Sequence, residues 1–269
     1  MCGGPLIPVV RIAAGATAMD ATDGPASPSS SAVIADRLGL TFGTMMGRRQ
    51  SRLEDWAMVT RDMSGGYRGL LLDFNGVLTS DLFEAYGAFC REVGLPEGAL
   101  LGLLKDDPDG HALLQDLERG SSTQPEFEQA IGQRLGIDGT GLVERVCQHL
   151  KPEPLLLDFA ERARGAGVRT GVLTNSLGLA PYNPYAPWRL AERFDVLVIS
   201  EEVGMRKPDP GIFAVALDRL GVPGEACVFV DDMAHNLPPA RALGMTTLHL
   251  TDPKQTVAQL ERLFALSVA

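Results

Sequence analysis

The chain has 269 residues, 45% of them hydrophobic, and a formal net charge of -10. That length accommodates one large domain, or a core domain with a smaller insertion, and the apolar content is enough for a proper core. The acidic balance argues against non-specific binding to nucleic acid or to anionic membranes, and it suits a protein that collects cations.

The four cysteines, Cys2, Cys90, Cys147 and Cys227, form no CxxC pair. They read as reduced thiols of a cytoplasmic protein, not as a disulfide framework or zinc site. No apolar run approaches the roughly 20 residues of a membrane helix. The Leu6–Val10 segment lacks the positive flank of a secretory signal, and no apolar run follows Arg48-Arg49.

Residues 1–66 hold six basic and six acidic residues, so the charge imbalance lies entirely in 67–269. Gly, Ala, Ser and Pro dominate this segment, most of all in Pro25-Ala26-Ser27-Pro28-Ser29-Ser30-Ser31. Such a composition cannot bury enough apolar surface to order itself, so a disordered extension is expected, with a short helix at most over Val33–Leu40. Met58 or Met63 would also begin a complete domain.

From Tyr67 the pattern changes. Gly69–Asp73 reads as a buried strand. Residues 80–150 then carry helical signals and no convincing strand. Pro96 and Pro108 suit first helical turns, Thr123-Gln124-Pro125-Glu126 has capping-box spacing, and Phe127, Ile131 and Leu135 recur at helical spacing. This predicts a small all-helical insertion. Beyond it, helices are expected over Pro154–Gly165, Pro208–Leu220, Leu237–Leu243 and Thr256–Leu266. They alternate with strands over Val168–Leu173, Val196–Ser200, Cys227–Val230 and Thr246–Leu250. Short β-rich runs alternating with helices predict an α/β fold with a doubly wound parallel sheet. The expected organisation is a core of 67–79 and 151–269, with 80–150 inserted as a helical cap.

Four chemistry-bearing features fall at strand ends or helix starts. Asp73 ends the first strand, Thr174-Asn175 ends the second, Lys207 precedes the helix that Pro208 opens, and Asp231-Asp232 ends the strand Val228-Phe229-Val230. Strand carboxyl ends are where ligands bind in open α/β sheets. Two adjacent carboxylates repel one another unless a cation sits between them. The set is complete for phosphoryl transfer through an aspartyl phosphate: a carboxylate nucleophile, oxygen ligands for Mg²⁺, and a hydroxyl and an ammonium to cradle the phosphoryl oxygens.

Residues 69–250 resemble the haloacid dehalogenase-like (HAD) hydrolases. Leu72-Asp73-Phe74-Asn75-Gly76-Val77-Leu78 is similar to the first motif of that superfamily and Val172-Leu173-Thr174-Asn175 to its second. Gly204-Met205-Arg206-Lys207-Pro208 is similar to the third, and Phe229-Val230-Asp231-Asp232 with Asn236 to the fourth. The third and fourth resemble most the phosphatase half of soluble epoxide hydrolases and the glucose-1-phosphate phosphatases. The resemblance implies a Rossmann-like core with residues 80–150 as a cap over the site. By position it makes Asp73 the nucleophile and a Mg²⁺ ligand, Asn75 a ligand through its main-chain carbonyl, and Asp232 the direct ligand, with Asp231 in an outer role. Thr174 and Asn175 would bind the substrate phosphate and Lys207 would be the electrostatic clamp. The partner expected is a small phosphorylated metabolite, with neither nucleic acid nor membrane, acting on a monomer or homodimer.

Position 75 departs from the pattern, because the superfamily usually has an aspartate there that protonates the leaving group and then activates water. Asn75 transfers no proton at neutral pH, and loss of such help typically costs about 10²–10⁴-fold in rate. An active but slow phosphatase is expected, on esters with good leaving groups such as anomeric sugar phosphates; the glucose-1-phosphate branch has a non-acidic residue here too. The alternatives are a sensor that binds phosphorylated ligands without turnover, and a different reaction of the superfamily. His235 is a weaker proton-donor candidate. The aromatic run from Tyr182 to Trp188 is read either as a wall for a sugar or other leaving group or as a surface loop packing on the cap. The apolar face of the insertion is read as mostly core, so that its leucines say nothing about substrate.

Overall fold

A computed structural model describes residues 66–266, so the expectations for residues 1–65 lie outside the described residues. Five strands form one sheet: β1 (Gly69–Leu72), β2 (Arg169–Thr174), β3 (Val196–Ile199), β4 (Cys227–Asp231) and β5 (Thr246–His249). Their spatial order is β3-β2-β1-β4-β5, and every pairing is parallel.

The central strand explains the architecture. Side chains alternate along a strand, so an all-apolar Leu70-Leu71-Leu72 must find apolar cover on both faces. Leu70 and Leu72 enter one core cluster, with Leu156, Phe159 and Ala163 of α6 (Pro154–Gly165) and Leu260 of α11 (Pro253–Phe264). Leu71 enters the other, with Ile212, Phe213 and Ala216 of α9 (Pro210–Leu220) and Leu237 and Ala240 of α10 (Leu237–Ala242). The doubly wound α/β fold is therefore present.

Between β1 and α6 come α1 (Leu82–Glu92), α2 (Ala99–Lys105), α3 (Pro108–Glu118), α4 (Gln124–Leu135) and α5 (Leu142–Cys147). These five helices enclose an apolar cluster of their own, built on Tyr86, Phe89, Leu100, Leu117, Phe127 and Ile131. The capping box at Thr123 and Glu126 forms as its spacing predicts. Where the chain leaves and rejoins the sheet layer its two segments pair. Thr79 and Pro152 form an antiparallel bridge, Ser80 N donates to Lys151 O at 2.7 Å, and Glu153 N donates to Leu78 O at 2.9 Å. Between β2 and β3 lies α7 (Leu190–Arg193), and α8 (Ser200–Val203) follows β3.

Three expected boundaries shift for local reasons. The helix expected from Pro208 starts at Pro210, because the Asp209 side chain accepts from Gly211 N and acts as the cap. The last helix starts at Pro253, not Thr256, since Asp252 caps it by accepting from Gln255 N, and it ends at Phe264. Pro96 precedes α2 by three residues and lies outside its first turn.

Candidate active site

The register of the sheet brings the candidate residues together. Leu72 pairs with Val172 on one side and Val230 on the other, so the strand ends carrying Asp73, Thr174 and Asp231 lie abreast. Asp73 N donates to Val230 O at 3.0 Å. Connections from β1 and its neighbours diverge at this edge, which opens a crevice at the switch point. Asp73, Asn75, Thr174, Asn175, Lys207 and Asp232 line a single cavity of about 300 Å³ there. Asp231 does not reach it; that side chain is fully buried behind Lys207.

The sequence reads Lys207 as a residue at a helix entrance. It is in fact among the most buried side chains, at 1% exposure. Its Nζ lies 2.8 Å from Asp73 Oδ1 and donates to Asp231 Oδ2 at 2.7 Å. Asn175 fixes its backbone: Oδ1 accepts from Lys207 N at 2.8 Å and Nδ2 donates to Lys207 O at 3.2 Å. In this arrangement the Asn175 side chain is spent on placing the lysine. Asp231 is held by Met233 N at 2.8 Å and by Asn236 Nδ2 at 3.0 and 3.1 Å, so both its oxygens are engaged.

Asp73, Asp231 and Asp232 each offer a carboxylate oxygen, and these atoms all lie within 4.8 Å of one another. One ammonium faces three carboxylates, an imbalance that protons or a cation must relieve. Burial pushes the Asp73 carboxyl up to about 8 against the lowering pull of Lys207, and burial also pushes Asp232 up to about 6. Asp232 Oδ1 and Asn75 Oδ1 are buried and have no hydrogen-bond partner. A hard divalent cation with oxygen ligands fits this donor set. Asp232 has a free oxygen to give, whereas Asp231 is already committed to Lys207 and Asn236.

Gly76 is required by the turn between Asp73 and the insertion. Its φ is +76°, and a Cβ there would stand 2.5 Å from Asp232 Oδ2. The backbone therefore approaches the Asp232 carboxylate as only glycine permits.

Three groups at the site carry no signal in the sequence. Glu118, the last residue of α3, lines the cavity and pairs with Arg206; burial raises its pKa against the pull of that arginine. Ser200 Oγ donates to Glu118 O and accepts from Ser176 N. Gln124 of α4 donates to Leu177 O and Tyr182 O at 3.0 and 3.1 Å. Each joins the insertion to loops at the sheet edge, across a sequence separation that no local pattern spans.

The aromatics after β2 form no wall of the cavity. Tyr185 and Trp188 pack edge-on against Phe74, with centroids 5.1 and 5.3 Å away, and Tyr182 packs on the cluster of the insertion. In the insertion, Leu82, Leu101 and Leu114 are half-buried and line the cavity. His235 does line it, and burial lowers its pKa.

Comparison with known proteins gives a consistent picture. Over 226 residues the chain is 35% identical to acyl-CoA dehydrogenase family member 10 of Mus musculus, a match covering 81% of this chain but 21% of that protein. The chain thus spans about a fifth of that relative's length. It is 28% identical over 156 residues to sesquiterpene phosphatase astK of Aspergillus oryzae, covering 55% of this chain and 78% of the relative. In fold it is similar to a predicted HAD-like hydrolase from Porphyromonas gingivalis, with a TM-score of 0.59 at 23% identity, over 75% of this chain and 99% of that one. Residues 67–244 match the family described as haloacid dehalogenase-like hydrolase. With that match spanning four of the five strands, the insertion and all four strand-end features, the chain belongs to the haloacid dehalogenase-like hydrolases.

Proposed function

We propose that the protein is a Mg²⁺-dependent phosphatase of small phosphate monoesters, acting through an aspartyl phosphate on Asp73 and slowed by Asn75. The observation that carries this reading is the cluster of Asp73, Asp231 and Asp232 around a fully buried Lys207, at the floor of a cavity also lined by Thr174. The name of the Aspergillus relative supports phosphate-ester chemistry.

Asp73, the Asn75 carbonyl and Asp232 would hold Mg²⁺, with Asp231 behind them. When bound, the ion neutralises the phosphate and the carboxylates so that two anions can approach. The Lys207 ammonium favours the ionised form of Asp73 against the effect of burial and offers positive charge to the phosphoryl oxygens, while Asp231 and Asn175 fix its position. An Asp73 oxygen bonds to phosphorus as the bond to the leaving-group oxygen breaks. Water then attacks the phosphorus of the aspartyl phosphate, releasing inorganic phosphate and restoring the carboxylate. The Thr174 hydroxyl lies beside this centre and is the neutral donor for a phosphoryl oxygen. Asn75 exchanges no proton in either step, so the first favours leaving groups that depart without protonation.

Hydrolysis of p-nitrophenyl phosphate with Mg²⁺ tests this reading. Turnover is expected to vanish in Asp73→Ala and to rise at least tenfold in Asn75→Asp. Metal binding without any gain in Asn75→Asp would sink the missing-acid explanation. Metal-dependent binding of phosphate esters with no release in either form would favour a sensor, the reading to which a site lacking its proton donor otherwise lends itself.

A further inference from the structure

Lys207 sits in a segment that no regular element supports. Residues 204–209 lie between α8 and α9 and belong to neither. Their backbone is tied to the sheet edge at Lys207, through the bonds to the Asn175 side chain, and Asp209 N donates to Arg206 O at 2.8 Å. Asn175 is itself a loop residue, one position past β2. A clasp between two loops thus fixes the backbone from which the ammonium reaches Asp73. Loops are the more mobile parts of a fold, so the clasp is only as firm as what holds its two sides.

Glu118 grips both sides. Its carboxylate pairs with Arg206, the residue before Lys207, and both side chains are largely buried. Its carbonyl accepts from Ser200 Oγ, which in turn accepts at 2.8 Å from the N–H of Ser176, the residue after Asn175. The contacts close a circuit that runs through Glu118, Arg206, Lys207, Asn175, Ser176 and Ser200, with Glu118 its one member from the insertion. Burial raises the Glu118 pKa while Arg206, Lys207 and Asn175 pull it down, so the carboxyl faces the clasp as well as the arginine. A second contact seats the same corner. Gly120, two residues on, has φ +71°, and a Cβ there would stand 2.9 Å from Glu201 Cγ and 3.1 Å from Glu201 O. The exit of α3 therefore lies hard against α8, where Glu201 accepts from Ser176 Oγ at 2.8 Å.

We infer that Glu118 is a positioning residue for Lys207, closing the circuit that holds its ammonium between Asp73 and Asp231. Glu118 acts through Arg206 and Ser200 and not on the reacting atoms. Removing its carboxylate leaves Arg206 a buried cation without its partner, which draws the 204–209 segment toward water. A small misplacement of the ammonium then costs the chemical step more than it costs binding, because the charge it offers matters most at the transition state. This kinetic consequence rests on the phosphatase reading, whereas the placement of Lys207 does not.

The test uses the lysines themselves. Lys105, Lys151 and Lys254 are exposed, and Lys207, the remaining lysine of the chain, is buried. The full chain with Mg²⁺ and ¹⁵N-labelled lysine should therefore show one ammonium resonance protected from exchange with water, absent in Lys207→Arg. Glu118→Ala is expected to speed that exchange at least about tenfold. It should lower kcat on p-nitrophenyl phosphate at least about tenfold, with KM changed less than about twofold. Glu118→Gln keeps an accepting oxygen for Arg206 and should recover part of both losses. Ser200→Ala opens the other arm and should speed exchange at least about threefold; it decides the matter if Glu118→Ala does not fold. Glu92→Gln breaks an exposed ion pair within the insertion, to Arg145 at 2.8 Å, and should leave both readouts at wild-type values. Wild-type exchange in the folded variants, or a wild type with no protected lysine resonance, overturns the inference. An equal change in Glu92→Gln also overturns it, since any loosening of the insertion would then suffice. A rise in KM with kcat unchanged overturns it too, by making Glu118 part of the substrate chamber. Faster exchange with no phosphate release from any form strikes the phosphatase reading alone, and release with exchange unaltered strikes the positioning role alone.

Discussion

Replacing Asp73 by Asn should make the metal-free protein more stable at pH 8, even though it removes the expected nucleophile. Burial pushes this carboxyl up from 3.8 to about 8; Lys207 opposes the rise, and Asp231 and Asp232 add to it. An acid whose folded pKa lies above its unfolded one makes the folded state hold a proton that the unfolded chain has released, so stability falls as pH rises. The penalty is absent below 3.8, grows between 3.8 and about 8, and is complete above that. A shift of about four pH units sets an upper bound of ~6 kcal/mol. Relaxation and the high effective dielectric of real interiors reduce this to ~2–4 kcal/mol. For a domain of this size that is a difference of roughly 5–15 °C in melting temperature. The assay is thermal unfolding in EDTA from pH 5 to 8.5, followed by circular dichroism. Wild type should lose stability across the range. Asp73→Asn should keep a shallower slope, from Asp232, whose carboxyl burial raises to about 6, and from the buried Glu118, with the lowered His235 acting in the opposite sense. Added Mg²⁺ should stabilise wild type at pH 8 far more than the variant. Parallel curves between pH 6.5 and 8.5, or a variant that melts at or below wild type at pH 8, would refute the reasoning.

Two further substitutions probe the same floor. Gly76→Ala forces a side chain into a positive-φ position against Asp232, with an expected loss of ~1–3 kcal/mol, and Mg²⁺ should then raise the melting temperature less than in wild type. Lys207→Met leaves Asp73 and Asp231 buried without their shared cation, for an expected loss of ~3–5 kcal/mol at pH 8 by urea titration in EDTA. Acidification towards pH 5 should recover part of that loss, because protonation relieves the two carboxylates; no recovery would mean that the lysine acts through packing alone.

Much of this site is legible in the sequence because each residue sits at the end of a local pattern. Asp73 and Asp231 follow apolar strand runs, Thr174 follows another, and Lys207 precedes a proline that announces a helix. The double pairing of Lys207 is not legible, since it depends on β4 lying against β1, which a register between distant segments decides. The pair of Glu118 and Arg206 is hidden for the same reason. Periodicity places Leu101 and Leu114 on apolar helix faces, yet an apolar face reads alike whether it meets other helices or a cavity. The aromatics at 185 and 188 turn inward because Phe74, one residue past the first strand-end acid, needs cover, a contact no local pattern announces.

The bridge at Thr79 and Pro152 has a consequence for how such a protein can change. All of residues 80–151 hang from one hydrogen-bonded stem, whose two sides meet at Leu78 and Glu153. Beyond the stem, the sheet edge meets the insertion through a few contacts, Glu118 with Arg206 and Ser200 and Gln124 with the loop after β2, and these leave most of its length and lining free to vary. A floor of fixed carboxylates and a replaceable chamber can then diverge at separate rates. New selectivity can be gained by exchanging the part that hangs from the stem while the acid and lysine geometry beneath is kept.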